Sequence, residues 1–240
     1  MASEYLLKKA KEQNVEPKRE LTPKEKRKNW WDYNKWFVMI GLAAIVFAGY
    51  TIWNSVFNAP PKPDYQIAYV GEAGIPEGTL GALESALAEK GQDLNGDGQV
   101  VVEIKKYEFS SQAEDPQTLM GNQARLIGDI FASEFFCYLM EDPASFQEQY
   151  GMLAYPDGRV PEEGMAPSDD LWLAWKDCPV LSEMDLGSTS LGGVDQEIAV
   201  ENQRLLSELY IGRSVAMDGW EAGNMEGYAA LWEAITEGAG

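Results

Sequence analysis

The hydrophobic residues of this chain form one long uninterrupted stretch near the start and many short, spaced stretches after it. Residues 36–61 are a run of 26 residues without a charged side chain. Within that run, residues 36–57 supply 22 mainly apolar residues, and a helix needs about 20 of them to cross a hydrocarbon core. Trp36 at one end and Trp53 at the other are placed like the aromatic belts of a spanning helix. The pattern predicts a transmembrane helix over residues 36–57.

A cleaved signal peptide is the competing interpretation of the apolar run. The head of 35 residues that precedes it is long for a signal peptide, and so is the apolar stretch itself. Phe57 and Ala59 would also make a poor cleavage site, because such sites favour small residues at both positions. We therefore expect a retained anchor, followed by a proline spacer over residues 58–63.

Beyond residue 63 the hydrophobic positions alternate between strand-like and helix-like spacing. Strands are predicted at residues 65–70, 100–107 and 135–140, the last without any polar alternation, as in a strand buried on both faces. Helices are predicted between and after them, opening at Pro76, Pro116 and Pro143. The order β-α-β-α-β-α implies a mostly parallel sheet with helices on its faces, which is an α/β fold.

The second half of the chain is less regular. Residues 155–170 are rich in Pro, Gly and acids and predict a long surface loop. Residues 171–175 and 206–215 contain further strand-like runs, and Tyr228 to Ile235 carry the spacing of a final amphipathic helix. About 180 residues remain beyond the anchor, which is the size of one domain. We predict a single α/β domain over residues 64–240.

Charge divides the chain into two unlike parts. Residues 1–36 hold ten Lys and Arg against six Asp and Glu, whereas the rest holds nine against 33. Positive residues flanking a spanning helix stay in the cytoplasm. We therefore expect a cytoplasmic basic head over residues 1–35, a single pass through the cell membrane, and an extracytoplasmic domain. The acidic domain should repel nucleic acid, which is bound through Lys and Arg.

Histidine is absent from the chain. Ser-His-Asp catalysis, Cys-His catalysis and histidine-ligated metal sites are thereby excluded. The two cysteines, Cys137 and Cys178, are too few for a disulfide scaffold. They are interpreted as buried free thiols, with pairing in an oxidising compartment as the alternative.

The segment DLNGDG at residues 93–98 matches the first half of an EF-hand-type calcium loop, with oxygen-bearing side chains at alternate positions. The candidate ligands are Asp93, Asn95, Asp97, Gln99 and Glu103. The second half departs from the pattern, because Ile104 stands where a bidentate acid belongs. Calcium is therefore expected to bind weakly, with a dissociation constant of about 10⁻⁴ to 10⁻³ M. The alternative is a helix-to-strand turn in which these side chains bond to the local backbone.

Paired carboxylates offer a second kind of chemistry. Glu162, Glu163, Asp169 and Asp170 lie in the acidic loop and have the residue type used in glycoside hydrolysis. Trp172 and Trp175, with Trp220 and Trp232, have the residue type that stacks on sugars, although aromatic residues in apolar runs usually belong to the core. A solvated loop explains the acids without catalysis.

Several segments together carry a family resemblance: NWWDYNKW before the anchor, DYQIAYVG (64–71), DLNGDGQVVVEI (93–104) and FFCYLMEDP (135–143). They resemble a group of membrane-anchored proteins from Gram-positive bacteria that are related to the extracytoplasmic solute-binding proteins of ABC transporters. The resemblance implies a truncated periplasmic-binding-protein-like domain, consisting of one lobe. It departs from two-lobed solute-binding proteins in its length and in having a helical anchor instead of a lipid.

Two functions are compatible with these features. The first is a solute-binding-like or accessory module at the outer surface, working beside the lipid bilayer and a membrane transporter or other membrane protein. Its crevice would be lined by residues 71–74 and the strand end near Glu141. The alternative is a carboxylate-based or calcium-assisted hydrolase at the cell surface. The missing histidines and the lack of a nucleophile motif favour the non-enzymatic function.

Overall fold

The computed structural model describes residues 4, 20–57, 61–110, 116–162, 164–191, 198–217, 220 and 222–239. Most of the predicted basic head and residues 58–60 of the predicted spacer lie outside the described residues. The chain divides into two compact units, Met1–Pro60 and Pro61–Gly240.

The first unit contains one long helix, α1, over Pro23–Phe57. Its start is fixed by a capping box: the backbone N–H of Thr22 donates to Oε2 of Glu25 at 2.8 Å, and the N–H of Glu25 donates to Oγ1 of Thr22 at 3.4 Å. Pro23 suits the first helical position because it has no N–H to leave unbonded. Over Pro23–Asn54 this helix is long and apolar enough to cross a membrane. Residues 36–57 are helical, as predicted, and the helix begins at Pro23, which is 13 residues before the apolar run.

The second unit is built on a six-stranded mixed sheet in the order β2-β1-β3-β8-β4, with β5 also paired to β8. Its strands are β1 (Tyr65–Gly71), β2 (Val102–Glu108), β3 (Cys137–Met140), β4 (Leu153–Ala154), β5 (Leu173–Ala174) and β8 (Tyr210–Ser214). Strand β1 runs parallel to both β2 and β3, whereas β8 runs antiparallel to β3, β4 and β5. The α/β class and the parallel sheet are thus confirmed for the first half. The second half adds antiparallel strands.

Six helices accompany the sheet in the described part of this unit. They are α2 (Glu77–Ala88), α3 (Pro116–Phe131), α4 (Pro143–Tyr150), α5 (Pro179–Ser182), α6 (Asn202–Leu206) and α7 (Ala222–Thr236), with 3₁₀ turns at Asp169–Leu171 and Trp175–Asp177. A separate hairpin pairs β6 (Ser188–Leu191) with β7 (Ile198–Glu201). The sequence pattern did not predict this hairpin, because its residues are mostly small or exposed.

The core lies on both faces of the sheet. Tyr65, Ile67 and Tyr69 of β1 point to one face and pack with buried residues of α2 and α7. Ala68 points to the other face and packs with Leu126 of α3 and with the aromatic residues of α4. Strand β3 is buried along its whole length, as predicted for a central strand. Helices α2 and α3 therefore cover opposite faces.

Trp172, Trp175, Trp232 and the two cysteines are core residues of the second unit. Trp175 is 1% exposed and Trp232 is 2% exposed, which confirms the core interpretation over a sugar platform. Cys137 and Cys178 are both buried and free. Desolvation raises the pKa of the Cys137 thiol well above its ordinary value and that of Cys178 to about 11.

Strand β2 lies at an edge of the sheet, and two of its outward-facing backbone groups are bonded to side chains. The N–H of Ile104 donates to Oε1 of Glu84 at 2.7 Å. The carbonyl of Glu108 accepts a hydrogen bond from Nδ2 of Asn122 at 2.9 Å. Helices on both faces therefore supply a side chain that bonds to this edge.

Candidate functional site

The strand order places a crevice at the carboxyl ends of β1 and β3. The chain leaves β1 toward β2 through α2, then returns from β2 across β1 to β3 through α3. Neighbouring parallel strands whose connections leave in opposite directions form a topological switch point, where ligands of α/β proteins bind. A cavity of about 440 Å³ lies there, within the size range of small-molecule sites.

Glu141, the residue after β3, organises the turn after β1. Its Oε2 accepts the N–H of Glu72 at 2.8 Å, and its Oε1 accepts the N–H of Ala73 at 3.1 Å. The hydroxyl of Tyr69 lies 2.7 Å from Oε1 of Glu141 and 2.5 Å from the carbonyl oxygen of Ala73. Burial raises the pKa of Tyr69, and the adjacent Glu141 carboxylate raises it further. The phenol therefore stays neutral and acts as a donor.

The close approach of these groups requires glycine at position 71. A Cβ on Gly71 would lie 2.4 Å from the hydroxyl oxygen of Tyr69 and 2.7 Å from the carboxyl carbon of Glu141. Both distances are far below van der Waals contact. Gly71 and Glu141, which were predicted to line a crevice, thus meet in a turn that has no room for a Cβ at position 71.

The second wall of the crevice begins with the N-terminus of α4. Oδ1 of Asp142 accepts the N–H of Ser145 at 3.0 Å, and Oδ2 accepts its hydroxyl at 2.7 Å. These bonds hold the pKa of Asp142 below its usual value. Pro143 occupies the first turn, and Gly151 ends the helix in the left-handed conformation, with φ of 65°. This helix start was predicted from the Asp142-Pro143 pair.

Aromatic side chains form the rest of that wall. Phe109, Phe146 and Tyr150 line the cavity. The ring centroids of Phe146 and Tyr150 are 5.0 Å apart, and Phe146 lies 4.7 Å from the buried ring of Tyr138. Burial raises the pKa of Tyr150, and the polar side chain of Gln123 on α3 offsets part of this rise. The rings are thus held by the core on one side and by α3 on the other.

The described lining of the cavity carries negative charge and no positive charge. Glu72, Glu141 and Asp142 contribute carboxylates, and neither Lys nor Arg is among the described residues that line it. The backbone N–H groups that would attract an anion already bond to Glu141 and Asp142. The sequence pointed to the strand ends but missed the aromatic wall, because residues 109 and 150 are far apart along the chain and meet only through the β2–α3–β3 crossover.

The DLNGDG segment folds as a turn held by its own side chains. Asp93 accepts the N–H groups of Gly96 at 2.6 Å and Gly98 at 2.8 Å. Oδ1 of Asn95 accepts the N–H of Asp97 at 2.9 Å. Oδ1 of Asp97 accepts the N–H of Gln99, also at 2.9 Å. These bonds are the pattern expected of the turn interpretation.

Asp64 completes this turn and was not predicted. It is 4% exposed. Its Oδ1 accepts the N–H groups of Leu94 at 2.8 Å and Asn95 at 3.0 Å, and its Oδ2 accepts the N–H of Val101 at 2.8 Å. One carboxylate thus binds both ends of the segment to the start of β1.

Glu103, another predicted ligand, forms no metal-binding group with Asp93 and Asp97. Glu103 lies in β2. Burial raises the pKa of Glu84 on α2, and the charge of Glu103 raises it further. No group of three or more Asp, Glu, His or Cys suited to a metal ion occurs among the described residues. Calcium binding by Asp93, Asn95, Asp97, Gln99 and Glu103 stays a prediction.

The acids suggested for glycoside hydrolysis are spread along the predicted loop. Glu162 lines a cavity at the α4 end together with Glu148. Asp169 and Asp170 form the 3₁₀ turn that leads to buried Leu171. Glu163 lies outside the described residues.

Comparison of the chain with models of protein families, with curated proteins and with solved structures finds no match in any of the three. Function must therefore be argued from the residues of the crevice.

Proposed function

We propose that this protein is a membrane-anchored binding or accessory module whose acidic α/β domain lies outside the cytoplasm and binds its ligand in the crevice between β1 and α4. The observation that carries the proposal is the cavity of about 440 Å³ at the topological switch point. Helix α1 supplies the anchor in this proposal, and the basic residues before it set the orientation. The partner class is a membrane transporter or another membrane protein.

The chemistry of the crevice acids supports binding over hydrolysis. A general acid must hold a proton near neutral pH. The pKa of Asp142 is instead lowered by its bonds to Ser145. Glu141 accepts three hydrogen bonds that keep the β1 turn in place. Both carboxylates thus accept hydrogen bonds that hold the local backbone in place, and protonation would weaken those bonds.

A melting-shift screen of the full-length protein in nanodiscs tests the binding function. The compounds are grouped by charge and by aromatic content. Gln149→Trp fills the crevice from α4, whereas Glu148→Trp adds the same side chain one position earlier, where the residue lines a different cavity. A compound class that raises the melting temperature of the wild type and of Glu148→Trp, but not of Gln149→Trp, supports the proposal. If no class does so, small-molecule binding is overturned.

Orientation is tested separately with a membrane-impermeant maleimide on intact cells. Ser3→Cys marks the head and Ser85→Cys marks an exposed position of α2. We expect labelling at position 85 only. Labelling at position 3 instead would reverse the proposed topology.

A further inference from the structure

We propose that the crevice binds a small organic cation, in which an ammonium group is carried on an apolar body. This ligand class rests on the proposed function, since it assigns the chemistry of the same crevice. The assignment combines the charge of the lining, the occupation of its anion-binding groups and the aromatic wall.

The charge of the lining selects against anions. Three carboxylates line the cavity, from Glu72, Glu141 and Asp142, and no basic side chain lines it in the part of the chain that the structure describes. Glu72 is exposed and uses its backbone N–H for Glu141, and its carboxylate has no ion-pair partner among the described residues. That carboxylate is therefore available to an incoming ammonium group at the crevice mouth.

The groups that usually bind phosphate or carboxylate at this place in α/β folds are already used. In such folds the turn after β1 and a nearby helix N-terminus present N–H groups to an anion. Here the N–H groups of Glu72 and Ala73 donate to Glu141. The N-terminus of α4 donates to Asp142. The carboxylates of Glu141 and Asp142 thus occupy the positions where an anionic group of a ligand would bind.

The aromatic wall favours an organic cation over a metal ion. Phe109, Phe146 and Tyr150 line the same cavity as the acids, and the faces of aromatic rings attract ammonium groups. The same rings offer apolar surface to a carbon body but no ligand to a hard metal ion. The domain as a whole strengthens the attraction, because residues 37–240 hold 33 acids against nine bases.

The test uses three probes of equal size: benzylammonium, benzyl alcohol and benzoate. Their binding to the full-length protein in neutral detergent micelles is measured by ligand-observed NMR titration at low and high salt. Glu72→Gln removes the charge at the crevice mouth, and Phe109→Leu removes one ring at similar volume. Glu148→Gln, which changes the net charge equally on the surface of α4, is the matched control.

We expect benzylammonium to bind tightest and benzoate weakest, with the preference shrinking at high salt. Glu72→Gln and Phe109→Leu should each weaken benzylammonium binding by about threefold to tenfold. Glu148→Gln should leave it unchanged. Near-ultraviolet circular dichroism checks that each variant is folded.

Other outcomes overturn the inference in distinguishable ways. Equal binding of the alcohol and the ammonium, lost in Gln149→Trp, would keep the binding function and reject the cationic class. Benzylammonium binding that is unchanged in both Glu72→Gln and Phe109→Leu would show only attraction to the acidic surface. Absence of benzylammonium binding would reject the cationic class, while the broader screen decides the binding function.

Discussion

The hydroxyl of Thr79 donates a hydrogen bond of 2.7 Å to Oδ1 of Asn202, and both side chains are fully buried. The amide nitrogen of Asn202 in turn donates to the carbonyl of Leu186 at 2.7 Å. Thr79 lies in α2, whereas Asn202 begins α6 after the β6–β7 hairpin. One buried polar contact thus joins the two halves of the domain.

Replacing Thr79 by Val should lower the free energy of unfolding by about 1–3 kcal/mol, because Oδ1 of Asn202 would be left buried without a donor. Urea unfolding of the full-length protein in detergent measures the change. Thr236→Val is the control, since the Thr236 hydroxyl donates to a carbonyl in its own helix. Equal losses in the two variants would contradict the importance of the Asn202 contact.

Replacing Gly71 by Ala should lower stability by about 1–3 kcal/mol, because the new methyl group meets Tyr69 and Glu141. In a Tyr69→Phe background, which removes the nearest atom, the same substitution should cost less. Gly81→Ala is the control: a Cβ there meets nothing within 4 Å, and alanine favours the helix. Thermal unfolding followed by circular dichroism ranks these variants, and an equal cost in both backgrounds would refute the steric explanation.

Replacing Glu84 by Gln should stabilise the protein at neutral pH and have little effect below pH 4.5. Burial raises the pKa of Glu84 from its ordinary value of 4.5, and the charges of Glu103 and Glu77 add to this. Because the pKa of Glu84 is higher in the folded state than in the unfolded state, ionisation of Glu84 destabilises the fold. The stability present at low pH is therefore lost as the pH rises toward neutral.

The gain for Glu84→Gln should stay below about 1 kcal/mol, because the side chain is half-exposed and its charge is screened. Glutamine keeps an acceptor for the N–H of Ile104. Urea unfolding from pH 4 to pH 8 gives the difference between variant and wild type, with exposed Glu89→Gln as the control. A difference that does not grow with pH would show that desolvation of Glu84 is not its cause.

Replacing Asp93 by Ala should lower the melting temperature with and without calcium, since two backbone N–H groups lose their acceptor. Melting curves with millimolar calcium and with chelator test this. A calcium-induced rise in the wild type that disappears in Asp97→Asn would assign an ion to the loop. Loss of stability only in the presence of calcium would contradict the role of Asp93 in the turn itself.

Cys137 and Cys178 should resist alkylation in the folded protein, because both are buried and their raised pKa values leave little thiolate. Mass spectrometry after iodoacetamide treatment should find both labelled only in denaturant. Ser85→Cys, at an exposed position, provides the label-positive control. Rapid labelling of either native cysteine would place it at the surface.

Local sequence patterns predict some of the strands and helices and miss the burial pattern of others. Strands β1 and β3 and helix α4 were predictable because Tyr65–Gly71, Cys137–Met140 and the Asp142-Pro143 pair are local signals. The inner face of α3 is less predictable. The spacing of residues along this helix predicts a face of Leu119, Gln123, Ile127 and Ile130, whereas the helix buries Leu126 and Ile130. Its burial is set by packing on β2 and β3, which periodicity alone does not specify.

Only some residues of the candidate site and of the neighbouring turn were predictable from the sequence. Gly71 and Glu141 follow predicted strands, so their proximity comes from the parallel pairing of β1 with β3. Asp64 gave no signal, because a single Asp before a strand is common and its three acceptor bonds depend on a loop 30 residues later. The antiparallel strand β8 was also unpredictable in direction, since its partners β4 and β5 have two residues each.

The side chains that bond to the outer edge of β2 limit how the domain can assemble. A strand from another molecule would have to displace Glu84 from the N–H of Ile104 and Asn122 from the carbonyl of Glu108 before it could extend the sheet. Sheet-to-sheet polymerisation through this edge is therefore disfavoured. In the proposed membrane-anchored arrangement, tethering would raise the local concentration of identical copies, and this protection would then limit their association.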